Sequence, residues 1–151
     1  MKKTDQTPRL LPITLAFEPK TYDIDASNHV SNISYIRWLE DLRLAWLDQH
    51  HPLQQEADNG LMPALIRTEI DYLRQIKLFE KVIGTMWVVP GGKLRFGLQA
   101  EFTVEGEVRA RAVQTGIWFR LADSRPVRPP EAMLKKMEEE LKRLENDGGD
   151  E

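Results

Sequence analysis

The chain has 151 residues, 41% of them apolar and 30% charged, with a formal net charge of −3. That length suits one domain with a full core, and the acidic balance excludes the basic footprint of a nucleic-acid binder or a membrane-surface protein. There is no cysteine, which excludes disulfides, a thiolate nucleophile and cysteine-ligated zinc.

Residues 1–12, MKKTDQTPRLLP, carry charge and two prolines and read as a flexible arm. No apolar segment comes after their lysines as in a secretory signal, and no run approaches the roughly 18 apolar residues of a spanning helix. A cytoplasmic location is the expectation. From Ile13, ITLAFEPKTYDID alternates in part and suits a first strand, at an edge because of Pro19. From Ile33 to about Gln49 the period becomes helical. Tyr35, Trp38, Leu39, Leu42, Ala45 and Trp46 share one broad face, with Ser34, Arg37, Asp41 and Asp48 as a polar stripe opposite. Ile33, Ile36, Leu44 and Leu47 widen the apolar surface, so the helix is expected to be largely buried and wrapped by the rest of the chain.

After a loop with Pro52, Gly60 and Pro63, the segment ALIRTEIDYL alternates as a half-exposed strand does. KVIGTMWVV, LRFGLQAEFTV and VRARAVQTGIWFRL come next, rich in β-branched and aromatic residues. Breaks at 90–92 (PGG) and 105–107 (EGE) are short enough for hairpins, which predicts a four-strand meander. The architecture is α+β: a curved antiparallel sheet of five or so strands around one long helix. From Pro129, PPEAMLKKMEEELKRLEN places Leu134, Met137, Leu141 and Leu144 on one side of an amphipathic helix, and NDGGDE ends the chain as an acidic tail. The expected divisions are therefore 1–12, 13–128 and 129–151.

Chemistry concentrates in YDIDASNHVSNISYIRW, residues 22–38. There is no GxSxG elbow, phosphate loop or HExxH motif elsewhere. His50 and His51 sit together at a helix end, where a cation favours the dipole and a structural role suffices. Neither a metal nor another cofactor is expected. Asp23 and Asp25 fall between a strand end and a helix start, which offers unpaired N–H groups and a positive dipole end. Donors of that kind polarise a carbonyl, and a neighbouring carboxylate acts as base or nucleophile. The same residue types also cap helices, and the pattern alone leaves both readings open.

DIDASNHVSNISYIRWLEDLRLAWL resembles the D-x-D-x-x-x-H-V-N-N-x-x-Y signature of the 4-hydroxybenzoyl-CoA thioesterase-like branch of the hotdog family. EIDYLRQIKLFEKV is similar to that family's second recurring segment and RPVRPPEAM to its usual close, so the resemblance spans roughly residues 13–135. It implies a hotdog fold and hydrolysis of acyl-CoA. Asp25 matches the catalytic carboxylate, His29 the motif histidine, and the N–H near Asn32 the donor to the thioester carbonyl. Asp23 matches the preceding acidic position and Ser27 a polar loop position on the substrate side.

Tyr35 is expected in the core at the edge of an acyl tunnel, and Pro63 at a pocket rim or as loop punctuation. Glu40 is expected to pair with Arg43 or to face a partner subunit's pocket. The chain departs from the signature at Asn28, where many relatives have Gly, and at Ser31, where they have Asn. Acyl-carrier-protein thioesterases of the plant type share part of the pattern, but carry Asn at Ser27 and a Glu–Cys pair at Gln75 and Ile76. Hydratases of the same fold space Asp and His five apart around a proline, against four here. The implied partners are acyl-CoA or an acyl carrier protein and a second copy of the chain, as a homodimer or dimer of dimers. A non-catalytic acyl-binding protein is the reading from a different class.

Overall fold

A computed structural model of the protein describes residues 7–148. Strand β1, Leu10–Phe17, begins inside the segment expected to be an arm. Leu10 is buried opposite Val88, and the register shifts between Leu10 and Ile13 with Leu11 at φ 49°. This bulge absorbs Pro12, which has no N–H to give to the ladder. Residues 1–6 of the expected arm lie outside the described residues.

A 3-10 turn, Thr21–Asp23, leads to helix α1, Asn32–His50. Its buried face is Ser34, Tyr35, Trp38, Leu39, Leu42 and Trp46. Ser34, expected on the polar stripe, turns inward because it has a bonding partner there, Asp23. Ile33, Ile36 and Leu44 are 64%, 46% and 49% exposed, so the sheet covers one side of α1 and does not encircle it. Phe17, Tyr35, Trp38 and Phe102 pack ring against ring, with centroids 5.3 to 6.2 Å apart, and fix the first half of α1 to the sheet. Burying each such side chain stabilises by about 1.5–3 kcal/mol.

The segment read as a loop holds a short helix, α2, Leu53–Asp58. His51 is buried, its Nε2 2.8 Å from Glu56 Oε1 and its ring edge-on to Trp118. Strand β2, Leu61–Tyr72, begins early enough to include Pro63, opposite Trp118. Strands β3 (Val82–Val89), β4 (Arg95–Val104) and β5 (Glu107–Arg120) come after it. Sheet order is β1-β3-β4-β5-β2. Only β3 to β5 form the expected meander; β2 crosses over to pair with β5 from Leu61–Arg120 to Tyr72–Ala110. This leaves β2 as a long edge strand, where a proline is tolerated.

Glu105 and Gly106 join β4 to β5 with φ values of 49° and 79°, the double positive φ of a two-residue primed turn. Gly116 lies opposite Phe96, whose ring occupies the space a Cβ would need. A two-residue strand β6, Pro126–Val127, completes a six-stranded sheet by pairing with β5. Helix α3, Glu131–Asp147, docks through Met133, with Met137, Leu141 and Leu144 partly buried against the core. Leu134, expected inward, is 38% exposed; Met133 takes its place one residue earlier. The helix includes Asn146 and Asp147 of the expected tail, and 149–151 lie outside the described residues.

Candidate active site

The stretch between the 3-10 turn and α1 is a closed loop. Ile24 and Val30 form an isolated antiparallel bridge, and inside it the Asp25 N–H donates to the His29 carbonyl at 2.9 Å. The Asn28 N–H donates to the Asp25 carbonyl at 3.0 Å, with Asn28 at φ 65°. A positive φ explains the residue type: asparagine and glycine are the residues that enter the left-handed region at least cost. Asn28 is therefore suited to the backbone at this position. From below, the Val30 N–H donates to the Ile76 carbonyl at 2.8 Å, and the Ile76 side chain is fully buried. Ile76 thus supports the loop.

The two aspartates have different surroundings. Asp23 is 5% exposed and both its oxygens are bonded: Oδ2 accepts from the Lys20 N–H and Oδ1 from the Ser34 hydroxyl, each at 2.8 Å. Its carbonyl accepts from the Ser31 N–H at 2.7 Å. Asp23 therefore ties the 3-10 turn to the helix start. Asp25 is exposed; its Oδ1 accepts from the Ser27 N–H at 2.9 Å and the His29 N–H at 3.4 Å. Among the described residues Oδ2 has no bonding partner.

The helix start is capped by Ser31, whose hydroxyl accepts from the Ile33 N–H at 3.4 Å, while the Ser34 N–H donates to the Ser31 carbonyl at 3.0 Å. The Asn32 N–H makes no hydrogen bond among the described residues. It is a donor at the positive end of a 19-residue helix. His29 is half-buried, and its Nδ1 is buried without a partner among the described residues. Tyr35 is 2% exposed and packs edge-on against Tyr72 at 5.1 Å. Burial first, then Tyr72, pushes its phenol up to about 12. Tyr35 stays neutral and is a packing group.

The remaining expected residues separate. Glu40 and Asp23 line an open groove with Phe17, Lys20, Arg37 and Trp38. No Glu40–Arg43 ion pair forms: Arg43 turns inward and donates from Nη1 to Gln114 Oε1 at 2.9 Å. Pro63 lines a distinct cavity between α1, the sheet and α3, to which the Asp25 loop contributes no residue. Sequence reasoning missed Tyr72, whose hydroxyl donates to the Asn32 carbonyl at 3.5 Å, and Arg43 as an inward-facing cation. The alternation of EIDYL places Tyr72 on a strand but gives no hint of a contact with residue 32. No cluster of three or more His, Asp or Glu among the described residues is arranged to hold a metal.

The fold recurs in solved structures. A DHNA-CoA thioesterase from Staphylococcus aureus superposes with a TM-score of 0.78 at 19% identity, covering 91% of this chain and 95% of that one. A 1,4-dihydroxy-2-naphthoyl-CoA thioesterase from Synechocystis gives 0.75 at 16% identity, covering 83% and 95%. A thioesterase from Thermus thermophilus, complexed with coenzyme A and Zn, gives 0.73 at 23% identity, covering 90% and 96%. None of the curated protein sequences matches the chain. These likenesses establish the hotdog architecture. The family model of the thioesterase-like superfamily matches residues 19–137, from the 3-10 turn into α3, and the chain belongs to that superfamily.

Proposed function

We propose that the protein hydrolyses acyl-CoA thioesters to the free acid and CoA, with Asp25 as the reacting carboxylate and the Asn32 N–H as the donor to the thioester carbonyl. The observation that carries this reading is that two groups on one short stretch are open, Asp25 within the Ile24–Val30 loop and the Asn32 N–H at the start of α1. Among the described residues, Asp25 has one oxygen braced by backbone amides and the other open, and the Asn32 N–H is unpartnered. A carbonyl oxygen seated on that N–H gains stabilisation as negative charge develops on it. Asp25 then takes a proton from water as the water oxygen attacks the carbonyl carbon; the C–S bond breaks and the proton returns to sulfur. Alternatively Asp25 attacks directly, CoA leaves, and water hydrolyses the resulting anhydride. Both routes end at the same products. His29, joined to Asp25 through its backbone, orients water or substrate; Ser27 fixes Asp25.

The same reading makes the protein a homodimer. Among the described residues strand β2 is paired on its β5 side alone, with Ile66 and Tyr72 47% and 43% exposed along it and Leu73 47% exposed just past its end, and pairing with a second copy removes that edge. Thiol release measured across short, long and aromatic acyl-CoA substrates tests the activity. Turnover on at least one class, lost in Asp25→Asn, is the expected result. No thiol release from any of them would leave the likeness one of fold.

A further inference from the structure

The cavity that Pro63 lines has a volume of about 140 Å³. Its walls are apolar: Trp46, Ala64, Met86, Phe96 and Trp118 among them, with Met133 of α3 closing one side. An apolar cavity of about 150 Å³ is large enough to take up benzene, so this one admits a single six-membered ring or a chain of similar bulk. One wall departs from that character. Arg43 lines the cavity, and no carboxylate among the described residues lies within ion-pair distance of it.

A guanidinium has five N–H donors; among the described residues the only side-chain hydrogen bond of Arg43 runs from Nη1 to Gln114. Gln114 is 2% exposed and is itself held by its Nε2 donating to Thr68 Oγ1 at 3.1 Å. Arg43 is thus aimed by a buried amide while most of its donors stay open. Burial pulls its pKa below the ordinary value, and the nearby Glu40 opposes that without reaching it. A half-buried cation beside an apolar void is matched by an apolar body ending in a carboxylate, because the guanidinium fork binds carboxylate through two parallel hydrogen bonds.

We propose that this cavity is a binding site for a compact apolar carboxylate, with the ring or chain among Trp46, Phe96 and Trp118 and the carboxylate on Arg43. Such a carboxylate has two sources: a free acid, or the far end of an acyl group whose thioester lies elsewhere on the protein. Equilibrium titration, monitored by tryptophan fluorescence and calorimetry, separates them from packing alone. Benzoate and hexanoate are compared with benzyl alcohol and hexanol, in wild type, Arg43→Gln and Ala64→Leu, with thermal midpoints confirming that each variant is folded.

The expected result is binding of the acids about ten- to a hundredfold tighter than the alcohols, a preference erased in Arg43→Gln. Ala64→Leu, which fills the void and leaves Arg43 in place, should lose both. Equal binding of acid and alcohol, or binding untouched by either substitution, overturns the proposal. If no free acid binds, the source is the acyl group, and in the Asp25→Asn protein, titrated in the same way, adipoyl-CoA should bind tighter than hexanoyl-CoA, a preference lost when Arg43→Gln is added; no such preference also overturns it. The titration needs no turnover, so failure of the hydrolytic reading leaves it readable.

Discussion

Replacing Asp23 with alanine would take the carboxylate from two donors, the part-buried Lys20 N–H and the buried Ser34 hydroxyl, which would keep only a long 3.5 Å approach to the carbonyl of residue 23. A donor left unsatisfied inside a protein costs about 1–3 kcal/mol, which puts Asp23→Ala at roughly 3 kcal/mol once partial hydration of Lys20 is allowed for. In a domain of this size that lowers the thermal midpoint by about 6–12 °C. Asp23→Asn should cost about 1 kcal/mol, because its carbonyl still accepts from Lys20 and its amide donates to a rotated Ser34 hydroxyl. Asp25→Asn should also stay within about 1 kcal/mol, since asparagine accepts the same two loop amides as aspartate does. Turnover should behave in the opposite way. Asp25→Asn should fall by about 100- to 10,000-fold in kcat, while Asp23→Asn keeps most of its rate. Thermal unfolding and thiol release on the same preparations give both readings. An Asp23→Ala protein as stable as wild type, or an Asp25→Asn protein with wild-type kcat, would refute this division of labour.

Burial first, then Lys136, holds the His50 imidazole below its usual value, against an opposing pull from Glu140. The folded state then binds fewer protons than the unfolded chain just below about pH 6.5, so this contribution to stability is full above that pH and is lost as pH falls through the folded value. His50→Gln should flatten the decline of the thermal midpoint on acidification; an unchanged pH profile would contradict it. Gly116→Ala should destabilise by about 1–3 kcal/mol, because the new Cβ displaces the Phe96 ring from its place over β5; chemical denaturation measures it. Sedimentation equilibrium at micromolar concentration should give twice the 17.5 kDa chain mass, and a monomer throughout would remove the edge-pairing argument.

The strands of the sheet and the helix against it are legible because their periods, 2 and 3.6, are carried by local residues. What pairs with what is not. Alternation in ALIRTEIDYL marks β2 as a strand, yet its neighbour is β5, some fifty residues on, and nothing local encodes that choice. Ser34 escapes a local reading for the same reason: a helical wheel assigns a serine to water unless its buried acceptor, Asp23, is known. Helix α2 is six residues long and too short to show a period. Around Asp25 the sequence reads further, because the loop is made of contiguous residues whose hydrogen bonds are nearly all internal. Arg43 shows the limit. Glu40 offers it a partner one turn away, whereas the side chain that holds it, Gln114, is 71 positions distant.

The closed loop around Asp25 has a fixed length. Its rim is the Ile24–Val30 bridge and its interior is spanned by the Asp25–His29 and Asp25–Asn28 backbone bonds. Adding or removing one residue would move Val30 off Ile24 and break its bond to Ile76, so the four-residue step from Asp25 to His29 is held by main-chain geometry and not by the side chains that use it. Change can enter here only by exchange of one residue for another. At position 28 the exchange is narrowed to residues at ease with positive φ, while Ala26 and Ser27 are exposed to solvent with wide latitude. The loop behaves as a socket of set span into which different side chains can be fitted, and a search for altered chemistry at this site would gain more from saturating positions 26 and 27 than from varying its length.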